Sequence, residues 1–271
     1  MQNRKNNIKL SALVVAHNEE LKLDSCLIKL KLADEIVIIL DKTNDNSKNI
    51  AKKYTKNIYE GSWDLEGERR NFGLNKCKGD WILEVDADES ISKKLFTEIR
   101  SKINDADPGY FLIPFDNFIG KKRIRYGWGA SWGVSSAPRL SFKGCKVWND
   151  KQRIHPSLIL KGKKGTLDSR INHYVDDDIN DMLERLKTYT DKKALDILVS
   201  NKKIPPLFII IRKCLTRFFK CYISRKGYKE GKWGFLIALM ASLFILISYL
   251  KASLEKKKIT HASNSRLTPS L

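Results

Sequence analysis

Short apolar runs alternate with amphipathic segments through the first ninety residues, and this alternation restricts the fold more than any other feature. The runs at residues 8–16, 35–40 and 81–85 are nearly continuous in Val, Ile, Leu and Ala. Between them, residues 19–32 and 66–77 carry a pattern typical of helices. Strands that are apolar on both faces and separated by helices predict an α/β fold, with a mostly parallel sheet flanked by helices.

Polar residues stand where these predicted strands end. His17 and Asn18 follow the first strand, Asp41 ends the second, and Asp86 and Asp88 follow the strand at residues 81–85. The carboxyl ends of parallel strands meet at one edge of a sheet, and ligands of open α/β sheets bind there. The sequence therefore predicts a site at this edge.

The pattern Asp86-Ala87-Asp88 places two carboxylates on one short turn. Hard oxygen ligands suit Mg²⁺ or Mn²⁺, and such a cation can also hold a diphosphate. A solvated acidic loop would carry the same pattern, but its place at a strand end favours a cation site. Asp41 can accept a hydrogen bond from a base or a ribose hydroxyl. It could instead cap a helix, although Asp45 and Ser47 are better placed for that role.

Several common cofactor patterns are missing from the sequence. Neither G-x-x-x-x-G-K-[ST] nor G-x-G-x-x-G occurs, which favours a diphosphate held by a cation over one held by a glycine loop. The four histidines lack the spacing of zinc ligands. The five cysteines form no C-x-x-C pair, a usage that fits reduced thiols in a cytoplasmic compartment.

Positive charge is concentrated near the C-terminus. The formal net charge is +20, and residues 201–271 hold 15 Lys and Arg against two acids. Residues 207–223 interleave apolar and basic side chains, which is typical of a helix lying on an anionic membrane surface. Residues 234–250 carry no charge, but a helix of that length spans about 25 Å, less than the hydrocarbon core of about 30 Å. A spanning helix and an ordinary packed helix stay open beside surface attachment.

These patterns predict three regions. Residues 1–200 form the α/β domain, residues 201–254 form a basic and apolar helical extension that associates with a membrane, and residues 255–271 form a polar tail. The charge also suggests a nucleic-acid-binding protein. No nucleic-acid-binding module accompanies the basic residues, so we expect no nucleic-acid partner. The sequence carries no prediction of the oligomeric state.

Four segments together resemble a known family: V-V-A-H-N-E-E at 14–20, D-x-x-x-D-x-S from Asp41, E-R-R-N at 68–71 and G-D-W-I-L-E-V-D-A-D-E at 79–89. The chain resembles family 2 glycosyltransferases, which have the GT-A (Rossmann-like) fold, and among them the bacterial lipopolysaccharide-core β-glycosyltransferases. The resemblance covers most of residues 8–250. The stretch at 79–89 is its most specific part.

The resemblance implies roles for individual residues. Ala16, His17 and Glu20 would border the nucleotide, and Asp41 would face its base. Arg70 would lie near the base or the ribose. For the acids after the third run, the resemblance implies that Asp86 approaches the ribose or the metal and that Asp88 ligates the metal, Mn²⁺ or Mg²⁺.

The implied reaction is an inverting transfer from a nucleotide-sugar donor, a UDP-linked hexose, to a saccharide on a lipid-linked glycan such as lipopolysaccharide core. A base removes the proton of the acceptor hydroxyl. Relatives often carry His-Glu where this chain has His155-Pro156, so the candidate bases are Asp150 and His155. Asp116 and the acids at 176–178 stay open as further candidates, and Trp128 is a candidate for sugar stacking or for the core.

The resemblance also leaves neighbouring activities open. A polyprenyl-phosphate glycosyltransferase or a nucleotidyltransferase would use a similar sheet and cation site. For a glycosyltransferase acting on a lipid-linked glycan, we expect a cytoplasmic enzyme, peripheral on the inner face of the plasma membrane.

Overall fold

The computed structural model describes residues 9–129, 133–151, 156–200 and 203–255. Within these ranges the strands are β1 (Leu10–Ala16), β2 (Glu35–Asp41), β3 (Ile58–Gly61), β4 (Trp81–Asp86), β5 (Glu89–Ser90), β6 (Gly109–Ile119), β7 (Lys122–Ile124), β8 (Ser136–Phe142), β9 (Lys146–Trp148), β10 (Leu158–Leu160), β11 (Lys163–Thr166) and β12 (Ile171–Asp176). The helices are α1 (Leu23–Leu30), α2 (Ser47–Ala51), α3 (Glu66–Lys76), α4 (Lys93–Asn104), α5 (Ile179–Val199), α6 (Leu207–Phe219) and α7 (Lys232–Leu254).

The first four strands form a parallel sheet in the order β3-β2-β1-β4. Strands β8 and β6 extend it with antiparallel pairings. The predicted fold class, an α/β fold with parallel strands flanked by helices and a helical C-terminal extension, is confirmed. The antiparallel pairing of β6 with β8 was not visible in the sequence, because an apolar strand does not reveal its partner or its direction.

The chain divides into two compact units. The first comprises residues 1–116 and 135–174, and the second comprises residues 117–134 and 175–271. Helix α5 belongs to the second unit, whereas the sequence placed it in a domain ending at residue 200. The three predicted regions stay a prediction about function, while the compact units describe packing.

Helix α3 covers one face of the parallel sheet in the first unit. Leu74 of the helix packs with Leu13, Val37 and Ile39 of the strands. Gly73 allows a close approach here, because a Cβ at this position would lie 2.8 Å from a Leu13 methyl carbon and that side chain would have to shift. This close approach fixes α3, and the arginines it carries, against the strands that end at the site.

Helix α1 begins at Leu23, four residues later than predicted. The Glu19 amide donates to Ser47 Oγ at 3.0 Å, and the Glu20 amide donates to Asp45 Oδ2 at 2.9 Å. These bonds fasten the chain after β1 to the start of α2. The amides that would have opened a longer α1 therefore join two loops at the sheet edge.

The second unit is built around α7, which packs against both α5 and α6. Met182 and Leu186 of α5 share a buried cluster with Ile237 and Met240 of α7. Within the described residues, α7 is the one helix long and apolar enough to cross a membrane, with a mean hydropathy of 2.2. This assignment rests on the length and composition of α7 alone, and the core helix of a soluble protein can meet the same criteria.

Candidate active site

Two arginines hold the carboxylate of Asp86 at the end of β4. Arg70 Nη2 donates to its Oδ1 at 3.1 Å, and Arg139 Nη2 donates to its Oδ2 at 2.5 Å. Burial raises the pKa of Asp86, but Arg139 and Arg70 outweigh it and hold that pKa well below the usual range. Asp86 is therefore ionised and fixed in position, and its predicted contact with a ribose or metal stays a prediction.

Asp88 lies in a cluster of possible metal ligands. One ligand atom each from Asp88, Glu89 and His173 lies within 4.8 Å of the others. His173 Nε2 is 3.5 Å from Asp88 Oδ2, and the β5–β12 register places His173 opposite Glu89. The two carboxylates are hard oxygen ligands that suit Mn²⁺ or Mg²⁺, and the imidazole adds one nitrogen ligand. The residues present therefore fit the cation that the sequence predicted.

The protonation of this cluster reflects its acids and its burial. Burial raises the pKa of Glu89, although Arg139 opposes the shift. Burial lowers the pKa of His173, but the hydrogen bond and charge of Asp88 outweigh it, so the net shift is upward. Burial and the charge of Asp88 together raise the pKa of Glu19 to about 6. Three acids thus share one small region, and a cation would relieve their repulsion.

Asp41 is buried at the end of β2 and has two partners. Its Oδ1 accepts from the Trp63 amide at 3.0 Å, and its Oδ2 accepts from Arg69 Nη1 at 2.8 Å. Each carboxylate oxygen has two acceptor sites, so a further donor can still be accommodated. The Arg69 guanidinium provides hydrogen-bond donors beside the Asp41 carboxylate. Together, Asp41 and Arg69 can bind a group that carries both an N–H donor and a carbonyl acceptor.

The residues predicted to border the nucleotide lie around the end of β1. Ala16 is the buried last residue of the strand, and the next residue, His17, is exposed with its Nδ1 2.7 Å from the Asp41 carbonyl oxygen. Glu20 is exposed, and its Oε2 accepts from the Asn46 amide at 2.9 Å. The structure thus brings His17 next to Asp41 and ties Glu20 to the loop that follows β2.

Arg70 belongs to a buried charge network rather than to the surface around Asp41. It donates through Nε to Glu66 at 2.9 Å, and its guanidinium lies 4.9 Å from the ring centre of Trp148. Glu84 of the same network forms an ion pair of 2.5 Å with Lys146. Burial alone would lower the pKa of Arg70, but Asp86 and Glu66 more than offset it. Its nearest predicted site residue is Asp86.

The structure describes one of the two candidate bases. Asp150 is exposed in the turn after β9, and this turn approaches the start of α3 so closely that a Cβ on Gly67 would lie 2.2 Å from the Asn149 carbonyl oxygen. His155 lies outside the described residues. Asp116 Oδ1 is 3.8 Å from Arg170 Nη1. Asp150 thus lies beside the helix that carries Arg69 and Arg70.

Three further candidates, two acids and Trp128, have structural roles in the second unit. Asp176 is buried and accepts from Arg185 Nε at 2.8 Å. Asp178 caps α5 by accepting from the Asp181 amide at 3.0 Å. Trp128 donates from its indole to the Ile124 carbonyl at 2.8 Å and packs against a buried apolar cluster. These contacts favour the core role for Trp128.

Four residues with contacts in the site were missing from the predicted set: Arg69, Glu89, Arg139 and His173. Glu89 directly follows the D-x-D pattern, so its position was a usable signal. Arg139 and His173 also fit the family resemblance, which gave them no role, and the register of their antiparallel strands brings them to the acids.

The fold and the site together define an α/β enzyme with a candidate divalent-cation site at the carboxyl edge of its parallel strands. The family model for glycosyl transferase family 2 matches residues 11–150. The chain belongs to this family, and the predicted glycosyltransferase class is confirmed.

Relatives that align over most of their length are named as glycosyltransferases. A glycosyltransferase of Rickettsia conorii is 23% identical over 94% of each chain. The lipopolysaccharide core biosynthesis glycosyltransferase LpsC of Rhizobium meliloti is 22% identical, over 89% of this chain and 91% of its own. Among solved structures, residues 1–349 of S. aureus TarS in complex with UDP align with a TM-score of 0.48 and 14% identity, covering 92% of each chain.

Proposed function

We propose that this glycosyltransferase is metal-dependent and inverting, and that it transfers a hexose from a UDP-linked donor to a saccharide on a lipid-linked glycan such as lipopolysaccharide core. The cluster of Asp88, Glu89 and His173 at the end of β4 is the observation that carries the proposal. The name of the LpsC relative supports the acceptor class.

Asp88, Glu89 and His173 would hold the cation. When bound, Mn²⁺ or Mg²⁺ supplies charge that stabilises the departing diphosphate. Asp86 does not need to be a direct ligand, because each of its two oxygens pairs with an arginine, whereas Glu89 shares one of those arginines. Its proposed role is to keep β4 and the turn at Asp88 in place, or to accept a ribose hydroxyl.

Asp41 and Arg69 are proposed to recognise the base. Uracil presents an imide N–H and flanking carbonyl oxygens, and a carboxylate beside a guanidinium offers the complementary acceptor and donors. Ala16, His17 and Glu20 would border the nucleotide at the end of β1. The exposure of His17 and its 2.7 Å approach to the Asp41 carbonyl support that placement.

Asp150 is proposed as the base that takes the proton of the acceptor hydroxyl, with His155 as the second candidate. Asp150 is exposed and belongs to the same compact unit as Asp88. An in-line displacement needs only one proton removed from the nucleophile. Asp150→Asn should therefore lower kcat strongly and leave the binding of the donor nucleotide unchanged.

The test measures nucleoside diphosphate release from a panel of UDP- and GDP-sugars, with Mn²⁺, with Mg²⁺ and with chelator. Acceptors are truncated lipopolysaccharide core and, as the competing class, a polyprenyl phosphate. We expect UDP release that requires metal and core acceptor, and a loss of about 1000-fold in Asp88→Ala. Asp107→Ala, at an exposed carboxylate paired with Lys163, is the matched control. Full activity in Asp88→Ala would refute the metal site.

A further inference from the structure

Helix α6 and the helical turn that follows it, residues 207–224, present three different faces. One face is buried, with Ile210, Cys214 and Cys221 at most 7% exposed. It packs on α7, where Ser242 Oγ donates to the Cys214 carbonyl at 3.1 Å. The remaining two faces are open to solvent, although Lys213 Nζ also lies 3.4 Å from Tyr249 Oη of α7.

The second face is an exposed apolar row, which we call the α6 stripe. It consists of Phe208, Ile211, Leu215, Phe219 and Ile223, whose exposed fractions are 71%, 45%, 55%, 57% and 52%. Their spacing of three or four residues places them along one side of the helix. Single exposed apolar residues are ordinary on protein surfaces, whereas a continuous row marks an interaction surface.

The third face is cationic and borders the stripe. Residues 207–224 contain four Lys and Arg and no Asp or Glu. A shallow groove of about 550 Å³ joins the two faces and is lined by Arg212, Leu215, Thr216, Phe219, Lys220 and Ser224. Positive charges and hydroxyls on one wall, with apolar side chains on the other, suit a phosphate group that is attached to a hydrocarbon chain.

We propose that the α6 stripe docks on an anionic lipid leaflet, with the helix parallel to the membrane and its apolar row at the boundary between headgroups and acyl chains. Charge selects this occupant. A second copy of the chain would place the same four cations against themselves, which costs free energy. A nucleic acid would satisfy the cations but leave the apolar row in water.

Helix α7 does not need to span the membrane in this arrangement. Its residue Lys251 donates to Asp191 at 2.7 Å and to Thr190 at 2.9 Å, both on α5. It also shares a buried cluster with α5 and another with α6. A helix surrounded by lipid would give up these contacts, so docking through α6 preserves the packing of the second unit. The proposal rests on that unit alone and not on the proposed reaction.

The test measures binding of the full chain to sedimented vesicles. One set contains equal amounts of phosphatidylglycerol and phosphatidylcholine, and the other contains phosphatidylcholine alone. The stripe variant is F208S/L215S/F219S. We expect the wild type to bind the anionic vesicles. The stripe variant should partition about 100-fold more weakly, because each serine removes the apolar side-chain area, roughly half of the side chain, that the membrane would bury.

The matched control removes similar apolar exposure elsewhere. Ile28, Leu32 and Ile159 are 49%, 51% and 54% exposed, and I28S/L32S/I159S should bind like the wild type.

A charge variant, R212Q/K213Q/K220Q, should bind anionic vesicles about 100-fold more weakly than the wild type, because each charge near the surface contributes roughly 1 kcal/mol. Added salt should weaken the wild type in the same direction.

Three results would overturn the proposal. They are equal binding of the wild type to both vesicle types, unchanged binding of the stripe variant, and dimers in sedimentation velocity without lipid that the stripe variant converts to monomers. Thermal unfolding confirms that each variant is folded. UDP release without vesicles is measured in parallel, so that a failed glycosyltransferase assignment is separable from a failed docking surface.

Discussion

The sheet edge and helix α6 treat charge in opposite ways. At the sheet edge, Asp86, Glu89 and Arg139 are joined in ion pairs with little exposure to solvent. On α6 and the residues that follow it to position 226, six cations occur in a segment without a single acid. Both regions are strongly charged, but only the first uses its charges to hold the fold together.

The difference distinguishes charges that hold side chains in position, at the sheet edge, from charges that remain available to bind a partner, on α6. A buried ion that loses its partner is costly, so each group at the sheet edge constrains the next. Solvated cations contribute little to folding stability, and their favourable interactions remain available to an anionic surface. The two regions should therefore respond very differently to the removal of one positive charge.

The largest effect on stability is expected from Arg139→Met. The substitution removes a cation that contacts both Asp86 and Glu89, leaving two carboxylates with one fewer partner. We expect a loss of about 3–5 kcal/mol in the free energy of unfolding. Urea denaturation followed by circular dichroism measures it, and a change below about 0.5 kcal/mol would contradict the description of this edge as a coupled network.

A double substitution sharpens this result. Glu89→Gln in the Arg139→Met background replaces the buried carboxyl group that has lost its partner with a neutral amide, so the double variant should be more stable than Arg139→Met alone. The interaction free energy from the full cycle reports the Arg139–Glu89 coupling directly.

A smaller effect, on metal affinity rather than folding, is expected from His173→Gln. Losing the imidazole beside Asp88 should raise the Mn²⁺ concentration for half-maximal activity on the order of 10- to 100-fold. Activity at saturating Mn²⁺ should largely recover. His17→Gln is the control, since it should raise the KM for the donor and leave the metal requirement in place. An unchanged Mn²⁺ titration in His173→Gln would remove His173 from the ligand set.

The acids of this edge could be predicted from the sequence because each lies directly after an apolar run. Asp41, Asp86 and Asp88 needed only the strand assignment and the rule that parallel strands end at one edge. His173 and Arg139 needed the pairing of strands far apart in the chain. The register that places Leu83 opposite Leu140 also brings the neighbouring Arg139 to the acids, and short antiparallel strands carry no local signal of their register.

The two arginines of α3 show a further limit of prediction from the sequence, which is the choice between adjacent residues of a helix. Consecutive helix residues point about 100° apart, so Arg69 and Arg70 reach different partners: Arg69 pairs with Asp41, and Arg70 pairs with Asp86. The sequence predicted that one arginine lies near the nucleotide and selected Arg70. The orientation of α3 about its axis decides between them, and that orientation depends on packing such as the approach of Gly73 to Leu13.

A modest effect is expected at a charge of intermediate exposure. Lys251 is 19% exposed in its side chain and pairs with Asp191, which is 55% exposed. Lys251→Met should lower the free energy of unfolding by about 0.5–1 kcal/mol, since it also loses the bond to Thr190. Lys163→Met, at an exposed pair with Asp107, is the matched control and should change it less. Equal losses in the two variants would mean that the contribution of these ion pairs to stability does not depend on their burial.

The smallest effect on stability is expected from the cations of α6. R212Q/K220Q removes two charges from a segment without acids, so mutual repulsion between its cations falls. The free energy of unfolding should change by less than about 0.5 kcal/mol, although the same substitutions should weaken binding to anionic vesicles. A loss comparable to that of Arg139→Met would show that these cations support the fold, and would erase the distinction between the two regions. A stable variant that binds lipid poorly would show that the charge of α6 is available to a partner.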